Sequence, residues 1–282
     1  MPAGKYWTTE EDRFLTEKAN ILTSNDIGDL LSRSSKSVRR RAETLGVSLT
    51  GYKRREYKQY SLHTDFFVKL NPVSAYWLGV IWSDGSLTDY GIRIAISSKD
   101  GDWLQALVSD IGSSSSLTQI TGRNAIGLGL YSTKLVEALL YYGLEVGDRT
   151  QKNLIPQNIP NVLLHHFVRG LFDGDGNFTY YGKDGCYSCV CITNTHTLCN
   201  WIWDITKKQI GVRGGVYRRK TGNVSDWKVG GRNQVLAFAD WLYCDAERFL
   251  MRKRNKFQEY CKASNMAEER RPSRLCQVGT VW

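Results

Sequence analysis

The sequence predicts an α+β fold, in which a pseudo-twofold pair of αββαββα halves follows a small all-α unit of three helices. Three observations in the 282-residue chain predict it. A short glycine-containing stretch occurs twice. Helical and strand-like patterns follow both copies in the same order, and the N-terminal segment has the pattern of three short helices. We therefore expect the repeated stretches to meet at a pseudo-twofold axis.

The N-terminal unit is expected to span residues 1–48. Its first helix begins at Thr8 or Thr9, its second near Asp26 and its third near Ser35. Lysine and arginine surround the apolar positions of the third helix. A compact three-helix unit with a basic third helix suits insertion into the major groove of DNA.

An internal repeat organises the rest of the chain. Its two copies are 75-AYWLGVIWSDGSL-87 and 167-FVRGLFDGDGNF-178. Their alignment pairs Gly79 with Gly170, Ser83 with Gly174, Asp84 with Asp175 and Gly85 with Gly176. We expect each copy to be a helix that ends at its last glycine, because Gly is favoured just beyond a helix C-terminus.

The elements after each copy follow one order, which is a strand, a helix, more strand and a closing helix. In the first half they are 92–98, 102–112, 116–121 with 125–131, and 133–143; in the second they are 188–194, 199–211, 214–220 with 227–229, and 233–243. Alternation places Ile92, Ile94 and Ile96 toward the helices, and Arg93 and Ser97 on the opposite face. Two such sheets predict a concave basic saddle for duplex DNA.

Small residues mark one face of each repeated helix. Gly79 and Ser83 are four residues apart, as are Gly170 and Gly174, so each pair shares a face. Small side chains let two backbones approach closely. We expect these four residues to form the interface between the two helices.

Two carboxylates, Asp84 and Asp175, then lie side by side at the C-terminal ends of the helices. Their mutual repulsion and the negative ends of the helix dipoles disfavour the pair. A divalent cation would stabilise it, and a metal that clamps the attacking and leaving oxygens of a phosphodiester fits this arrangement. The alternative is that each Asp is incidental to a helix end.

A calcium loop is a rival interpretation of the second copy, because Asp173, Asp175 and Asn177 alternate. An EF-hand loop requires Gly at its sixth position and Glu at its twelfth. Phe178 and Asp184 occupy those positions. The stretch is therefore a poor calcium loop.

Composition favours a globular protein with a polyanionic partner. The chain is 41% hydrophobic and 23% charged, has a net charge of +10, and has no apolar run long enough to span a membrane. Basic residues cluster at 33–58, 213–220 and 248–256, interleaved with Tyr and Trp, which points to nucleic acid.

Seven cysteines, an odd number, favour a reducing compartment such as the cytoplasm or nucleoid. The group Cys186, Cys189, Cys191 and Cys199 could suggest zinc. In a strand, however, Cys186 points away from Cys189 and Cys191. We therefore expect no zinc site in this group.

The N-terminal pattern W-T-x-E-E-D…I-G-x-L-L-x-R-S-x-x-S-V-R-x-R-A-x-x-L-G resembles the Myb/SANT-like helix-turn-helix family over about forty residues. That resemblance implies a DNA-reading third helix with Lys36, Ser37, Arg40 and Arg41 as its contacts. A protein-binding role is the alternative. The linker, residues 49–65, either follows a nucleic-acid backbone through Arg54 and Arg55 or is simply solvated.

The pair YWLGVIWSDG and VRGLFDGDG resembles the two signature helices of a LAGLIDADG homing endonuclease in its single-chain form. The resemblance covers roughly residues 66–262. It implies halves at 66–154 and 155–262 and a tail at 263–282, and it leaves open whether the gene belongs to a phage, lies in a mobile intron or stands free. It also implies a monomer that hydrolyses both strands of a long double-stranded DNA target.

The resemblance implies a metal site for Mg²⁺ or Mn²⁺, ligated by Asp84 and Asp175 with the backbone carbonyls of Ser83 and Gly174. Supporting basic residues would be Lys152 and Lys253, for which a phosphate contact or an exposed lysine is an equal alternative. Asp173 matches an acidic position that does not bind metal. His165 and His166 are expected to pack rather than to act as bases.

The expected DNA contacts of the saddle are Arg93 and Ser97 in the first half, and Tyr180, Tyr181, Lys183, Tyr217, Arg219 and Lys228 in the second. Two rival functions stay open. One is a transcription regulator that has lost catalysis. The other is a maturase that binds intron RNA with the same saddle.

Overall fold

The computed structural model describes residues 6–19, 21–49, 61–148, 152–182, 187–220 and 222–269, with only the backbone for 263–269. The chain divides into two compact units, Met1–Tyr60 and Ser61–Trp282. The expected contacts Arg54, Arg55 and Lys183 lie outside the described residues, as does Cys186.

The first unit contains the three expected helices, α1 (Thr9–Lys18), α2 (Ser24–Leu31) and α3 (Ser35–Thr44). Thr8 and Glu11 form a capping box on α1, and Thr23 forms one with Asp26 on α2. Asp26 is thus the third residue of α2 and not its start. The buried core of the unit is Leu15, Ile27, Val38 and Ala42.

The first half of the second unit follows the predicted order. Its elements are α4 (Pro72–Asp84), β1 (Gly85–Thr88), β2 (Gly91–Ser97), α5 (Gly101–Asp110), β3 (Thr118–Gln119), β4 (Ala125–Tyr131) and α6 (Thr133–Tyr141). Pro72 at the first helical position and the Asn71 cap begin α4.

The second half repeats the order and adds one helix. Its elements are α7 (Leu164–Asp175), β5 (Gly176–Tyr181), β6 (Tyr187–Thr195), α8 (His196–Ile210), β7 (Gly215–Arg218), β8 (Val224–Gly230), α9 (Arg232–Tyr243) and α10 (Met251–Glu269). The sequence did not predict α10 as an element of its own.

Two antiparallel sheets with one topology establish the pseudo-twofold fold. Their strand orders are β1-β2-β4-β3 and β5-β6-β8-β7. Gly85 pairs with Ile94 at the start of the first sheet, and Gly176 pairs with Ile192 at the start of the second. The predicted α+β pair of αββαββα halves is confirmed.

Each sheet buries one face against its helices. In β2 the three isoleucines are buried, whereas Arg93, Ala95 and Ser97 are exposed on the other face. One continuous buried cluster joins both halves, because α4 and α7 lie at its centre. Within the described residues, no helix has the length and apolar composition to cross a membrane.

The C-terminal segment ties the second half back to the first. Arg248 makes two hydrogen bonds of 2.7 Å to the carboxylate of Asp110, at the end of α5. Arg252 makes two of 3.0 Å to the carboxylate of Asp100. In α10, Phe257 stacks on Phe178 with ring centroids 4.1 Å apart. The segment therefore links the halves by charge and by aromatic packing.

Candidate active site at the helix pair

Helices α4 and α7 touch through backbone atoms at two glycines. A Cβ atom on Gly79 would collide with the carbonyl oxygen of Phe167 and lie 2.9 Å from the nitrogen of Leu171. A Cβ on Gly170 would collide in the same way with the carbonyl oxygen of Tyr76. Only glycine permits this approach.

A third close contact lies one turn further toward the helix ends. A Cβ on Gly174 would overlap the hydroxyl of Ser83 and the carboxylate of Asp84. The carboxylate of Asp84 thus lies against the backbone of α7, next to Asp175. The structure brings the four small residues together and places the carboxylate of Asp84 against Gly174, the residue before Asp175.

Both helices end in the same geometry. Gly85 has φ −86° and ψ 153°, and Gly176 has φ −85° and ψ 152°. These are extended conformations, and each glycine directly follows the last residue of its helix, as the sequence predicted. Glycine is needed for room: a Cβ on Gly85 would lie 2.6 Å from the carbonyl oxygen of Ile81, and one on Gly176 would collide with Phe172.

Asp84 is a largely buried carboxyl group. Burial raises its pKa, while a hydrogen bond from Ser83 and the positive charge of Lys253 lower it. The Ser83 hydroxyl lies 3.0 Å from Asp84 Oδ2 and also 3.0 Å from the carbonyl oxygen of Val80. Its single proton serves one acceptor at a time. When that proton goes to Val80, Asp84 loses the hydrogen bond from Ser83.

Asp175 has a partner that sequence reasoning missed. Asn194, near the end of β6, donates from Nδ2 to Asp175 Oδ2 over 2.6 Å. The Oδ1 atom of Asn194 accepts from the backbone of Thr195, which fixes the amide orientation. The equivalent residue in the first sheet, two after Ile94, is the buried Ile96. The asparagine at a position where the first sheet has isoleucine is the sequence feature that could have identified this partner.

Lys253 lies at the C-terminal end of α7 with its ammonium group buried. Its Nζ donates to the carbonyl oxygens of Phe172, Asp173 and Gly176 over 2.6–2.7 Å, and to that of Gly174 over 3.3 Å. Burial lowers its pKa to about 8, against the raising effect of Asp173, Asp84 and Asp175. Lys253 thus adds donors for the carbonyl oxygens at the end of α7.

Lys152 lies at an open cavity of about 280 Å³, together with Ser83, Asp148 and Asn194. Its Nζ donates to Glu145 over 2.6 Å and to the carbonyl oxygen of Val146 over 3.3 Å. The two predicted lysines therefore differ. Lys152 is partly exposed beside the helix ends, whereas Lys253 is enclosed by backbone.

The donor set suits a hard divalent cation. Carboxylate and carbonyl oxygens are the ligands that Mg²⁺ and Mn²⁺ prefer. Asp84 and Asp175 supply the carboxylates, and the last carbonyls of each helix have no partner within the helix. The carbonyl oxygen of Gly174 takes the longest of the four contacts from Lys253, at 3.3 Å. The described residues fit a magnesium or manganese site here.

Asp173 makes buried contacts away from the cation donors. Its Oδ2 accepts from the hydroxyl of Tyr76 and from the backbone nitrogen of Leu250, each over 2.7 Å. Trp103 in turn donates to the Tyr76 hydroxyl over 2.6 Å. Asp173 therefore joins both halves and the C-terminal segment.

The exposed face of the second sheet carries most of the expected DNA contacts. Tyr181, Tyr217, Arg219 and Lys228 are partly or fully exposed. Arg219 and Lys228 share one acid, because they lie 2.7 Å and 3.1 Å from the oxygens of Asp226. Tyr180 belongs to the opposite face, since its ring packs on Tyr260 with centroids 5.4 Å apart. Its place in the saddle was a wrong prediction.

In the first sheet, Arg93 lines an open groove with Asp84, Ser86 and Tyr131. Arg93 and Ser97 are exposed. This groove therefore places one cation on the same side of the sheet as the carboxylate at the end of α4.

The expected DNA contacts of the N-terminal unit are of two kinds, those that are accessible and one that is held within the unit. Lys36 and Arg40 are exposed, and the backbone nitrogen of Ser37 donates to the cap residue Ser34 over 3.2 Å. Arg41 instead makes two hydrogen bonds to Asp12, of 2.7 Å and 2.5 Å. These bonds hold α3 against α1.

Two other expectations concern charge and cysteine. Arg248, Arg252 and Lys253, which belong to the third basic cluster, are engaged within the fold. Cys199 is buried and contacts the carbonyl oxygen of Ser225 over 3.3 Å, whereas Cys189 and Cys191 lie on β6. Among the described residues these cysteines do not gather into a metal-binding group.

The fold is similar to solved structures of DNA-bound nucleases. I-SmaMI bound to uncleavable DNA matches with a TM-score of 0.52 and 15% identity, over 71% of this chain and 91% of that chain. The LAGLIDADG meganuclease I-AabMI bound to uncleaved DNA matches with 0.51 and 13%, over 71% and 92%. The I-LtrWI LAGLIDADG homing endonuclease bound to target DNA matches with 0.50 and 10%, over 73% and 92%.

Sequence comparison adds no relative: no family model matches the chain, and no curated protein matches it. At these identities the structural similarity concerns the fold. It agrees with the paired sheets and the central helix pair described above. The two αββαββα halves of this chain therefore have the fold of the LAGLIDADG homing endonucleases.

Proposed function

We propose that the chain is a site-specific homing endonuclease that hydrolyses both strands of a long DNA target. The observation that carries the proposal is the contact of Asp84 with the backbone of α7 beside Asp175, at the ends of two touching helices. Such a costly pair of acids is explained by a divalent cation, Mg²⁺ or Mn²⁺. The DNA-bound nucleases of the same fold support the choice of substrate.

In this proposal Asp84 and Asp175 hold the metal, with help from the carbonyls of Ser83 and Gly174. A bound divalent cation stabilises charge on the phosphodiester and its leaving oxygen. Asn194 keeps the carboxylate of Asp175 oriented through its 2.6 Å hydrogen bond. Lys152, which lines the open cavity, would contact a phosphate.

Lys253 has a positioning role in this proposal. Its ammonium group satisfies the carbonyls of Phe172, Asp173 and Gly176 and so fixes the end of α7. Its positive charge also lowers the pKa of Asp84. Because the group is only 9% exposed, we assign it no contact with substrate.

The saddle would hold DNA through its exposed sheet faces. Arg93 and Ser97 would serve the first half, and Tyr181, Tyr217, Arg219 and Lys228 the second. Phosphate contacts of this kind give salt-dependent affinity without sequence preference.

The N-terminal unit would act as a second DNA-binding module with α3 as its reading helix. Lys36, Ser37 and Arg40 would be the contacts, since Arg41 is held by Asp12. Two modest modules on one chain bind more tightly than either alone, because the second association is intramolecular.

A randomised duplex library with Mg²⁺ tests the proposal. After incubation, sequencing of the ends would reveal paired cuts at one related set of sites. Metal-independent binding without cuts would instead support a regulator. Protection of a structured intron RNA, without DNA cleavage, would support a maturase.

A further inference from the structure

A second cluster of metal-ligating side chains lies at the other end of α7. His165, in the first turn of α7, and Cys244 and Asp245, just after α9, bring their ligand atoms within 4.8 Å of one another. His165 is ten residues before Asp175, which is about 15 Å along the helix. The cluster is therefore separate from the candidate active site.

We propose that His165, Cys244 and Asp245 form a structural zinc site that clamps the start of α7 to the end of α9. A nitrogen, a thiolate sulphur and a carboxylate oxygen are the donors that Zn²⁺ takes. They differ in kind from the oxygen donors at the other end of α7, which suit magnesium.

The distances suit a tetrahedral ion. His165 Nε2 lies 2.9 Å from Asp245 Oδ1, and Cys244 Sγ lies 3.6 Å from the same oxygen. Zinc–ligand bonds of about 2.0–2.3 Å place tetrahedral ligand atoms roughly 3.3–3.7 Å apart. A small rotation of the exposed Asp245 side chain would open the His165–Asp245 pair to that spacing. The fourth position would be taken by water.

The supporting contacts hold the carboxylate in place. Arg169 can only donate, so its 2.7 Å contact from Nη2 makes His166 Nδ1 an acceptor and leaves the proton on Nε2. That Nε2 lies 3.6 Å from Asp245 Oδ2, and the same oxygen lies 3.2 Å from His165 Nε2.

The loop that carries two of the ligands is also fixed. The buried Arg169 donates to the carbonyl oxygens of Leu242 and Arg248 over 2.7 Å and 2.8 Å, on either side of Cys244 and Asp245. The ligands therefore sit on a braced segment, which lowers the cost of ordering them when the ion binds.

The site belongs to the second half alone. In the repeat, Ser74 and Ala75 stand where the second half has His165 and His166. Ser74 is already occupied in the capping box with Asn71. The ligands are thus an addition to one half and not a feature of the duplicated scaffold.

Cobalt substitution in the full chain tests the proposal, because Co²⁺ bound to a thiolate shows a charge-transfer band in the near ultraviolet. We expect the band to saturate at one equivalent and to be bleached by Zn²⁺. Cys244→Ser should abolish it, and Cys189→Ser, on β6, should leave it unchanged. Loss of a ligand should weaken Zn²⁺ binding by more than the roughly 10–100-fold effect of an outer partner.

A second readout covers the case in which Cys244→Ser fails to fold. His165→Gln should retain the thiolate but weaken Co²⁺ binding, and Zn²⁺ should raise the Tm of the wild type by more than that of the variant. Absence of the band in the wild type would overturn the proposal. So would a band that persists in Cys244→Ser or disappears in Cys189→Ser. None of these readouts depends on DNA cleavage.

Discussion

The hydroxyl of Tyr76, in α4, donates a 2.7 Å hydrogen bond to the carboxylate of Asp173, in α7, and both side chains are almost fully buried. This bond crosses between the two halves beside the candidate active site. Burial raises the pKa of Asp173 to about 6, although Tyr76, Lys253 and the Leu250 amide favour the charged form. Asp173 is thus a structural acid with its own donors.

Tyr76→Phe should destabilise the second unit. The substitution leaves Asp173 Oδ2 with the Leu250 amide alone and removes the acceptor of Trp103. We expect a loss of about 1–3 kcal/mol in the free energy of unfolding, measured with urea. Asp173→Asn is the matched control, because an amide oxygen still accepts both bonds; it should cost less than Asp173→Ala. Equal losses for the two Asp173 variants would contradict this account.

The helix contact should not tolerate a methyl group. Gly79→Ala and Gly170→Ala each force backbone atoms of the partner helix to move, so each should cost about 3 kcal/mol or more. Gly230→Ala is the control, because its added Cβ would meet its nearest neighbour, the carbonyl oxygen of Ser188, at 3.5 Å. Thermal unfolding should separate the first two variants from the third. Similar Tm values for all three would argue against backbone contact.

Two neighbouring arginines of α3 should give opposite phenotypes. Arg41→Ala breaks the bonds to Asp12 and should lower the Tm of the N-terminal unit. Arg40→Ala removes an exposed cation and should leave that Tm unchanged. Arg40→Ala should also reduce the slope of log K against log salt for DNA binding by about one. An unchanged slope would remove Arg40 from the interface.

The charged carboxylate of Asp226 should stabilise the folded protein at neutral pH but not in acid. Burial raises the pKa of its carboxyl, but the bonds from Arg219, Thr193 and Lys228 prevail and lower it to about 2, from an ordinary 3.8. A lowered folded-state pKa stabilises the protein fully above about pH 4, and this contribution is lost as the pH falls toward about 2.

Asp226→Asn should remove that contribution, which solvent around the exposed Arg219 and Lys228 screens to about 1 kcal/mol at neutral pH. Urea unfolding between about pH 5 and pH 2.5 should show the wild type converging on the variant as the pH falls. The variant also frees Arg219 and Lys228 for phosphates, so its DNA affinity should rise at low salt. A gap that is constant with pH would contradict the assignment.

The helix pair could be predicted because its causes are local and occur twice. The close contact of the two helices requires small residues at Gly79, Gly170 and Gly174. The alignment of the two copies then places Asp84 and Asp175 at the helix ends. The partners of individual charges could not be predicted. Arg248 and Asp110 are 138 residues apart, and only the folded chain brings them together.

The long separation in sequence also explains why other contacts of the site were not predicted. Asn194 and Lys253 reach the helix ends from distant segments, and their residue types alone do not name a partner. Tyr180 was assigned to the saddle although strand alternation places it with Phe178 and Tyr260, inside the sheet–helix layer. The sequence of α10 has little apolar periodicity, so the helix could not be predicted from it. Packing on β5, as in the stacking of Phe257 on Phe178, stabilises the helix.

The most direct test of the central claim uses a target recovered from the library and three proteins: the wild type, Asp84→Asn and Asp175→Asn. Each variant keeps the shape of its side chain but loses the charge that would hold a divalent cation. The account predicts that the wild type cuts both strands in Mg²⁺. Both variants should bind the target with an affinity similar to that of the wild type, and should cut neither strand at a rate comparable to the wild-type rate. Cleavage by either variant at the wild-type rate would contradict it.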